Sequence, residues 1–509
     1  MPRYAAVDVG SNSVRMIAVG VGSSGEMQVL AEDRQVTRLG ASVFKQGQVA
    51  PEAIQFVCEN LKRMAQTFQT LDLTSVRAVG TSALRDASNR EEFLQQASES
   101  LGSPIEIISG QEEARLIYLG VQARWPQNDK RTLIVDVGGG STEVILNDHG
   151  ALSVAFSKPL GAVRLTEVFL KNDPPTDLQL RQMQEYIDEK LSTPVERIGV
   201  HPFGRAIGTS ATAAALVCVV NRIPRARRDQ ADRLRASTAQ IKRLFLDLRS
   251  RDLASRRKIP GIGPRRAELI IAGTAVFLRT LQLFQHGSLY YSGGGVREGI
   301  ISDLAARGVG RELSRLNREQ RRIVEQMSKR YGVQLDHARK VASLGQSLFE
   351  ALPSLHKLPP AHGKLLEAAA YLHDVGHFVS NTGHHKHSYY IVLNSDLPGF
   401  TDSERHVIAA LCRYHRKTVP APKHWVYDML DLEARRGVTM LSPLLRLADS
   451  LDRGHEQRVS DMHVALRDGN VVVELESKEG TTLELWAAQG IGDLFRETYQ
   501  TPLILATKE

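Results

Sequence analysis

Apolar residues in roughly the first 300 positions follow two alternating patterns. Short apolar runs typical of buried strands form two groups, residues 4–9, 16–21, 77–80 and 105–108 and then residues 132–137, 142–146 and 203–208. Apolar residues three or four positions apart predict helices at residues 53–68, 178–191, 237–250 and 265–283. Because strands alternate with helices, we predict an α/β fold with two consecutive lobes, each built on a mostly parallel sheet.

The pattern changes near residue 311. It is helical from there to about residue 458, and the remaining segment alternates apolar and polar positions around Asp468, Gly469 and Asn470. A chain of 509 residues is too long for one core, so several domains are expected. The predicted domains are an α/β lobe over residues 1–127, a second α/β lobe over 128–310, a helical domain over 311–458 and a small α+β domain over 459–509.

The composition, with 42% hydrophobic and 24% charged residues, is that of an ordinary globular protein. No apolar stretch approaches the ~18–20 residues of a membrane span. The first residues run directly into a strand and lack the features of a signal peptide. The 3 cysteines have no pairing or metal-ligand spacing, which favours a reducing compartment. We therefore expect a cytoplasmic protein without a membrane span.

The net charge of +8 is unevenly distributed. Between residues 222 and 266 there are 15 Lys and Arg residues against 4 Asp and Glu residues. Such a block indicates either a solvated helical face or a surface for a polyanion. Phe245 is the only aromatic residue in the block, so the block lacks the aromatic side chains on which nucleic-acid bases would stack. The charge therefore favours a phosphate polymer without bases over nucleic acid.

Two of the predicted strands end in related turns of small and hydroxyl residues. The first turn contains Asp8, Gly10, Ser11, Asn12 and Ser13, and the second, 128 residues later, contains Asp136, Gly138, Gly139, Gly140, Ser141, Thr142 and Glu143. Backbone N–H groups of such turns can surround phosphate oxygens, while the acid at each strand end faces the same place. The repeat therefore predicts a duplicated domain with one phosphate-binding cleft.

A second pair of strands ends in Gly, Ser and Thr residues. These residues are Ser82 in one lobe and Gly208, Thr209 and Ser210 in the other. Hydroxyl and N–H groups at a helix N-terminus can bind an anion, although ordinary N-capping is the structural alternative. Arg85 lies about one helical turn further on and could add a bidentate phosphate contact. Asp136 and Glu143 bracket the glycine turn and could hold Mg²⁺.

Two adjacent glutamates begin the helix that follows residue 108. Glu112 stands at capping-box spacing from Ser109, so its side chain is expected to bond back to the Ser109 N–H. Glu113 occupies the fourth helical position, where an apolar residue would pack on Ile108, and such a departure from the local rule is typical of function. A buried Glu113 with a raised pKa could take a proton from water. The alternative is a solvated glutamate that the helix dipole favours.

These motifs, together with residues 105–121 and 292–299, resemble the Ppx/GppA family of exopolyphosphatases and guanosine pentaphosphate phosphohydrolases. The resemblance implies two duplicated actin-like, ribonuclease H-like lobes. It implies Glu113 as the catalytic base, Arg85 and the glycine turns, including Gly294, as phosphate-binding groups, and Asp136 and Glu143 as ligands of Mg²⁺ or Mn²⁺. It also implies a homodimer. Independently of the resemblance, residues 289–299 predict a last strand and a glycine turn, followed by a helix that crosses back to the first lobe.

The implied reaction is the release of orthophosphate from the end of inorganic polyphosphate. Removal of the 5′ γ-phosphate of guanosine pentaphosphate is the closest alternative, because it would use the same groups. A different enzyme class is a sugar or acid kinase of similar fold. A kinase would need a pocket for adenosine, and an acid such as Glu113 that faces water would favour hydrolysis of the phosphoryl donor over transfer. The non-catalytic alternative is a sensor of phosphate polymers or nucleotides. The presence of Glu113, Asp136 and Glu143 argues against a sensor without catalytic activity.

The helical region resembles an HD-type phosphohydrolase module. The residues that carry this resemblance are His337, the adjacent pair His373 and Asp374, and Asp449, and they form a candidate second metal site. Extra donors are present in His384, His387 and His415. The alternative is a binding and dimerisation module whose histidines are satisfied by protein contacts. The sequence alone favours that alternative, because an enzyme with one phosphohydrolase site has little evident need of another.

Overall fold

The computed structural model describes residues 1–22, 26–200, 202–307, 313–477 and 480–507. The chain divides into two compact units, Met1–Ala306 and Arg307–Glu509, which we call unit 1 and unit 2. None of the described helices is long and apolar enough to cross a membrane.

The first sheet of unit 1 has five strands in the order β3-β2-β1-β4-β5. Its strands are β1 (Arg3–Val9), β2 (Ser13–Val21), β3 (Met27–Val36), β4 (Ser75–Gly80) and β5 (Ile105–Ile107). Strand β2 is antiparallel to both of its neighbours, whereas β4 is parallel to β1 and β5. The helices of this lobe are α1 (Leu39–Gln46), α2 (Pro51–Gln69), α3 (Ser82–Asp86), α4 (Arg90–Leu101) and α5 (Gly110–Arg124).

The second sheet of unit 1 repeats this arrangement with one additional strand, in the order β8-β7-β6-β9-β11-β10. Its strands are β6 (Arg131–Val137), β7 (Thr142–Asp148), β8 (Ala151–Lys158), β9 (Arg205–Thr209), β10 (Arg235–Ser237) and β11 (Ser288–Tyr291). The helices are α6 (Ala162–Phe169), α7 (Asp177–Ile198), α8 (Ser210–Val220), α9 (Thr238–Ser250), α10 (Leu253–Arg257), α11 (Ile270–Leu283) and α12 (Val296–Ala306), with a 3₁₀ helix at Arg225–Ala231. The predicted pair of α/β lobes is present, but the prediction of mostly parallel sheets is wrong. Each duplicated turn joins two adjacent strands as a tight hairpin, which makes β1 and β2, and likewise β6 and β7, antiparallel, so both sheets are mixed.

Two local predictions differ from the structure. The helix predicted from residue 265 begins only at Ile270, because Gly261, Gly263 and Pro264 keep the preceding segment in turns. Strand β3 was not predicted, since it is an edge strand with side chains exposed on both faces and therefore has no clear alternation. The central strand β1, by contrast, is buried on both faces and reads as one apolar run.

Helix α12 returns from the second lobe to the first, as expected from the sequence. Its residues Ile300 and Ile301 are fully buried in a cluster with Tyr4 and Ala6 of β1. The helix also lies directly on α5: a Cβ atom added to Gly299 would stand 1.8 Å from the Leu116 carbonyl oxygen. Only glycine permits this approach, which anchors the helix that carries Glu113.

Unit 2 consists of helices and one small sheet. Its helices are α13 (Arg318–Arg330), α14 (Leu335–Ala351), α15 (Pro353–His356), α16 (His362–Leu372), α17 (His384–Leu393), α18 (Asp402–Tyr414), α19 (Trp425–Asp428), α20 (Leu432–Ser450), α21 (Thr482–Gln489) and α22 (Gly492–Tyr499), with a 3₁₀ helix at Val375–Phe378. The sheet has the order β12-β13-β14, with strands β12 (Val459–Arg467), β13 (Asn470–Ser477) and β14 (Leu503–Thr507). One apolar cluster includes Leu445 of α20, Val471 of β13 and Phe495 of α22, so the sheet packs on the helices.

Candidate active site

The two duplicated turns face each other across one cleft in unit 1. The predicted site residues that line this cleft are Asp8, Gly10, Ser11, Asn12, Ser13, Glu113, Asp136, Gly138, Gly139, Gly140, Ser141, Thr209 and Ser210. The turns approach closely: a Cβ atom added to Gly140 would lie 2.5 Å from the Ser82 hydroxyl oxygen and 2.7 Å from that of Ser11. Glycine at this position therefore lets the two lobes close around the cleft.

The remaining predicted residues of this site stand behind the cleft surface. They are Ser82, Arg85, Thr142, Glu143, Gly208 and Gly294. Thr142 is fully buried and its hydroxyl donates to the Leu160 carbonyl oxygen at 2.9 Å. Gly294 lies so close to α5 that a Cβ atom there would stand 2.2 Å from the Gly120 carbonyl oxygen. These residues support the walls of the cleft from behind.

Both turns have the same backbone geometry. The Gly10 N–H donates to the Ser13 carbonyl oxygen at 3.1 Å, and the Gly138 N–H donates to the Ser141 carbonyl oxygen at 3.0 Å. Within the described residues, the intervening N–H groups donate to no protein acceptor; they belong to Ser11, Asn12, Gly139 and Gly140. Because N–H groups of this kind need an acceptor, the turns are suited to phosphate oxygens.

Three carboxyl groups beside these turns have raised pKa values; the Glu143 side chain is buried, and Asp8 and Asp136 are partly buried. Burial raises the pKa of Asp8 to about 6, against the opposing charge of Arg15. Burial, followed by repulsion from Glu113, raises the pKa of Asp136 to about 7. Burial and then the charges of Glu113 and Asp136 raise the pKa of Glu143 well above its usual value. Crowded, buried carboxylates of this kind fit a hard divalent cation such as Mg²⁺, which would offset their repulsion.

Glu113 lies at the cleft, in the first turn of α5, and is 7% exposed. One guanidinium nitrogen of Arg85 stands 2.9 Å from Glu113 Oε2, and another donates to the Ile108 carbonyl oxygen at 2.8 Å. Arg85 thus links the start of α5 to α3 through an ion pair with the Glu113 carboxylate. The bidentate phosphate contact predicted for Arg85 stays a prediction, since a guanidinium has five N–H donors and these two contacts use only some of them.

The capping role predicted for Glu112 is wrong in part. The Ser109 hydroxyl does accept from the Glu112 N–H at 3.2 Å, but the Glu112 carboxylate does not return to Ser109. It accepts instead from Arg115, at 2.8 and 3.0 Å, and from Arg77 at 3.2 Å. Asp303 of α12 completes this buried network. A buried carboxylate needs cationic partners, and the helix turns Glu112 toward them.

Several functional candidates were not foreseen from the sequence as residues of the cleft. They are Arg15, Arg228, Arg266, Tyr291, Arg297 and Glu298. Arg15 had a usable signal, since it interrupts an otherwise apolar strand directly after the first turn. Arg228 and Arg266 belong to the basic segment, whose charge was noted but whose place in the fold could not be read.

A second cavity adjoins the cleft and shares four lining residues with it, Asn12, Ala211, Arg228 and Arg266. We call the two together the phosphate channel. The outer cavity adds three further arginines, Arg34, Arg225 and Arg265. Among the described residues, its lining contains no acidic and no aromatic side chain.

The arginines of the channel repel one another. Burial and the nearby charge of Arg297 lower the pKa of Arg15. Burial, followed by the charges of Arg15 and Arg225, lowers the pKa of Arg266 to about 10. Burial and then Arg15 and Arg266 lower the pKa of Arg34 to about 9. Buried cations that repel one another are stabilised by a bound polyanion.

Comparison with known proteins decides the family. The chain matches the family model described as Ppx/GppA phosphatase family over residues 17–307, and the model described as Ppx/GppA phosphatase, domain III, over residues 320–486. It belongs to the Ppx/GppA phosphatase family. The resemblance inferred from the motifs is thereby confirmed, and the family identifies the chain as a phosphatase-type hydrolase.

Solved structures of family members agree with this assignment. The Aquifex aeolicus member of the Ppx/GppA family is 29% identical, with a TM-score of 0.53, and the match covers 60% of this chain and 98% of that chain. An exopolyphosphatase-like protein is 28% identical, with a TM-score of 0.56, and the match covers 60% of this chain and 97% of that one. An exopolyphosphatase from Cytophaga hutchinsonii, 24% identical with a TM-score of 0.55 over 59% of this chain and 97% of that chain, shares the fold.

The candidate second metal site lies in unit 2, and the structure brings its four predicted residues together. His337 Nε2 is 3.4 Å from Asp449 Oδ1, and His373 Nε2 is 3.6 Å from Asp374 Oδ2. Protein contacts satisfy the Nδ1 atoms of His337 and His373, whereas their buried Nε2 atoms have no hydrogen-bond partner among the described residues. Whether this site binds a metal stays a prediction.

Proposed function

We propose that this Ppx/GppA phosphatase is an exopolyphosphatase, which hydrolyses the terminal phosphoanhydride bond of inorganic polyphosphate. The observation that carries the proposal is the phosphate channel, which joins the cleft that contains Asp8, Glu113 and Asp136 to an outer cavity with five arginines. A polymer with one negative charge or more on every phosphate would neutralise these cations along the whole channel.

In the proposed reaction Glu113 orients a water molecule and accepts its proton. The water oxygen attacks the terminal phosphorus, the bridging P–O bond breaks, and orthophosphate and a polyphosphate shorter by one unit are formed. The N–H groups of the two turns would hold the equatorial oxygens of the terminal phosphate, where charge must be stabilised. Arg85 pairs with the Glu113 carboxylate at the start of α5.

Asp8, Asp136 and Glu143 are the residues that would hold Mg²⁺ or Mn²⁺ at this site. A cation bound there would withdraw charge from the phosphate oxygens. Magnesium dependence, a homodimer and a cytoplasmic location stay predictions from the sequence.

The lining of the outer cavity favours polyphosphate over guanosine pentaphosphate. A guanine base is best held by an aromatic ring and by polar groups that match its edge. Within the described residues, the outer cavity offers arginines, small apolar residues and Asn12, but no aromatic ring. This lining supports the proposal that the outer cavity binds the tail of a phosphate polymer.

The decisive experiment measures orthophosphate release from long-chain polyphosphate and from guanosine pentaphosphate side by side, with Mg²⁺ present. We expect a kcat/KM at least tenfold higher for polyphosphate. A higher value for guanosine pentaphosphate would overturn the substrate assignment. Glu113→Gln, as the matched catalytic control, should abolish most release from both substrates, which separates the choice of substrate from the identity of the base.

A further inference from the structure

Helix α6 begins directly behind the second turn of the cleft, which contains Gly138, Gly139 and Gly140. Backbone N–H groups at the start of α6 donate to the carbonyl oxygens of all three glycines. These bonds run from Gly161 to Gly140 at 3.2 Å, from Ala162 to Gly138 at 3.0 Å, from Val163 to Gly139 at 2.9 Å and from Arg164 to Gly139 at 3.1 Å. The approach is close, since a Cβ atom added to Gly161 would stand 2.2 Å from the Gly139 carbonyl oxygen.

This support decides which way the N–H groups of the turn point. In a trans peptide, a carbonyl and the N–H that follows it point in opposite directions. Because the carbonyl oxygens face α6, the N–H groups of Gly139, Gly140 and Ser141 are directed away from α6. All three residues line the cleft. The start of α6 therefore presents the N–H groups of the turn to a ligand in the cleft.

The first turn is held in the same way by the residues at the start of α1. The N–H groups of Thr37 and Arg38 donate to the Asn12 carbonyl oxygen at 3.1 and 3.2 Å. The Gly40 N–H donates to the Ser11 carbonyl oxygen at 2.7 Å. Support of the turn by backbone N–H groups is therefore part of the duplication.

The Arg164 side chain adds a connection from the second turn to the first lobe. Its Nε atom donates to the Gly140 carbonyl oxygen at 2.8 Å, and one terminal nitrogen donates to the Ser82 hydroxyl at 3.2 Å. The same nitrogen donates to the Asp86 carboxylate. The guanidinium carbon lies 4.0 Å from the centre of the Phe44 ring. Since Ser82 and Asp86 belong to α3 and Phe44 to α1, one side chain of the second lobe contacts three residues of the first.

These contacts require the shape of a guanidinium as well as its charge. Arginine has N–H donors in a rigid, flat fork, so one edge can meet a carbonyl while another nitrogen meets a hydroxyl and a carboxylate. Its flat face can also lie on an aromatic ring. Lysine carries the same charge on a single nitrogen. A lysine at position 164 could pair with Asp86 but could not hold the Gly140 carbonyl at the same time.

We propose that Arg164 is a positioning residue for the hydrolysis of the terminal phosphoanhydride bond. It fixes the Gly140 carbonyl relative to the first lobe, and thereby places the N–H groups of the second turn against the phosphate that the first turn binds. Arg164 does not line the cleft, so it acts through the turn. The inference rests on the proposed function, in which both turns hold the terminal phosphate.

The consequence for the reaction concerns kcat more than binding. Charge that develops on phosphate oxygens in the transition state is stabilised by donors that are already in place. A turn that is free to shift loses this advantage, although a long polymer is still held by the arginines of the outer cavity. Loss of Arg164 should therefore slow turnover while long polyphosphate continues to bind.

Steady-state kinetics on long-chain polyphosphate with Mg²⁺ test this role. Arg164→Gln should lower kcat about 10–100-fold, because misplacement of a catalytic group by ~1 Å can cost ~10²-fold. Its affinity, measured by competition in a Glu113→Gln background, should stay close to that of the wild type. Arg164→Lys should lower kcat nearly as far, since it keeps the charge and loses the fork.

A second ion pair between the lobes supplies the matched control. Lys45 Nζ of α1 lies 2.7 Å from Glu167 Oε2 of α6, one helical turn beyond Arg164. Lys45→Gln removes this contact between the lobes and should keep the kcat of the wild type. An equal loss of kcat in Lys45→Gln, a wild-type kcat in Arg164→Gln or full activity in Arg164→Lys would overturn the positioning role. Circular dichroism checks folding, and Arg164→Lys decides the question if Arg164→Gln does not fold.

Hydrogen–deuterium exchange gives a measurement that needs no substrate. In the ligand-free protein, the backbone amides of residues 161–164 are bonded to the turn and should exchange faster in Arg164→Gln than in the wild type or Lys45→Gln. Unchanged exchange in this segment would overturn the inference whatever the substrate. A wild type that prefers guanosine pentaphosphate would overturn only the proposed function, because the loss of kcat in Arg164→Gln would then be measured on that substrate.

Discussion

The phosphate channel makes a quantitative prediction about salt. Arg225 and Arg265 line only its outer cavity, away from the acids of the cleft, so their charges can be removed without changing the reaction site. The Arg225→Gln, Arg265→Gln double variant should bind long polyphosphate more weakly and depend less on salt. Glutamine keeps a polar chain of similar shape, which limits the change to charge.

The size of the effect follows from counterion release. Each phosphate contact contributes about 0.7 to the slope of log affinity against log salt for a flexible single-stranded polyanion, so two lost contacts reduce the slope by about 1.4. When salt rises about fourfold, from ~50 to ~200 mM, the affinity advantage of the wild type over the variant should shrink about sevenfold. Binding is measured by competition against a labelled polyphosphate, in a Glu113→Gln background that prevents turnover.

The chain offers a charge-matched control. Arg222 and Arg227 are exposed residues of the same basic segment and line neither cavity. Their double change to Gln removes the same net charge and should leave the salt slope close to that of the wild type. Hydrolysis of tripolyphosphate, which is short enough to occupy the cleft alone, should also be unchanged in the channel variant. Equal slopes for the two double variants, or equal losses for short and long substrates, would refute the channel.

Three further predictions test the cleft. Glu113→Gln should lower kcat by ~10²–10⁴, the usual contribution of a general base, while affinity measured by competition stays within a few-fold of the wild type. Glu112→Gln should instead lower the free energy of unfolding by about 3–5 kcal/mol in urea titration, because it leaves Arg77 and Arg115 with too little negative charge in a buried network. If Glu112→Gln lowered kcat and Glu113→Gln lowered stability, Glu112 would be the base and Glu113 the structural residue. In EDTA, the raised pKa of Asp136 makes the contribution of this residue to stability greatest in acid, and the contribution is lost as pH rises from about 4 to about 7. Mg²⁺ should restore thermal stability at pH 7.5, and a melting temperature that is independent of both pH and Mg²⁺ would contradict this.

The sequence predicted best what is local. Asp8 and Asp136 were found because an apolar strand that ends in a turn of small residues is a continuous signal, and the same turn geometry is present in both lobes. Glu113 was singled out for a related reason. It occupies the fourth position of its helix, where an apolar residue would normally pack on the residue before the helix. Residues that depend on their immediate neighbours can be read from the chain in this way.

What the sequence could not supply is set by contacts distant in the chain. The partners of Glu112 include Arg77, 35 residues away, and the same network reaches Asp303, 188 residues from Arg115. No periodicity connects these positions, so the capping box was the best local explanation of Glu112. The approach of His337 to Asp449 is likewise a property of helix packing, because the two residues come from helices that are distant in the chain.

The separation of charge in unit 1 connects the choice of substrate with the need for a cation. Carboxylates gather at the cleft end, with Asp8 and Asp136 lining it, whereas the outer cavity holds arginines alone among its charged residues in the described chain. The carboxylates of Asp8 and Asp136 repel a terminal phosphate that enters the cleft, although Arg15 and Arg297 also line it. A divalent cation would offset this repulsion, while every following phosphate meets arginines alone. A long polymer is therefore drawn to the point where its last unit meets the acids. The tail would supply binding energy and the cation would permit reaction, so cation dependence should be strong for every chain length, and only affinity should grow with length.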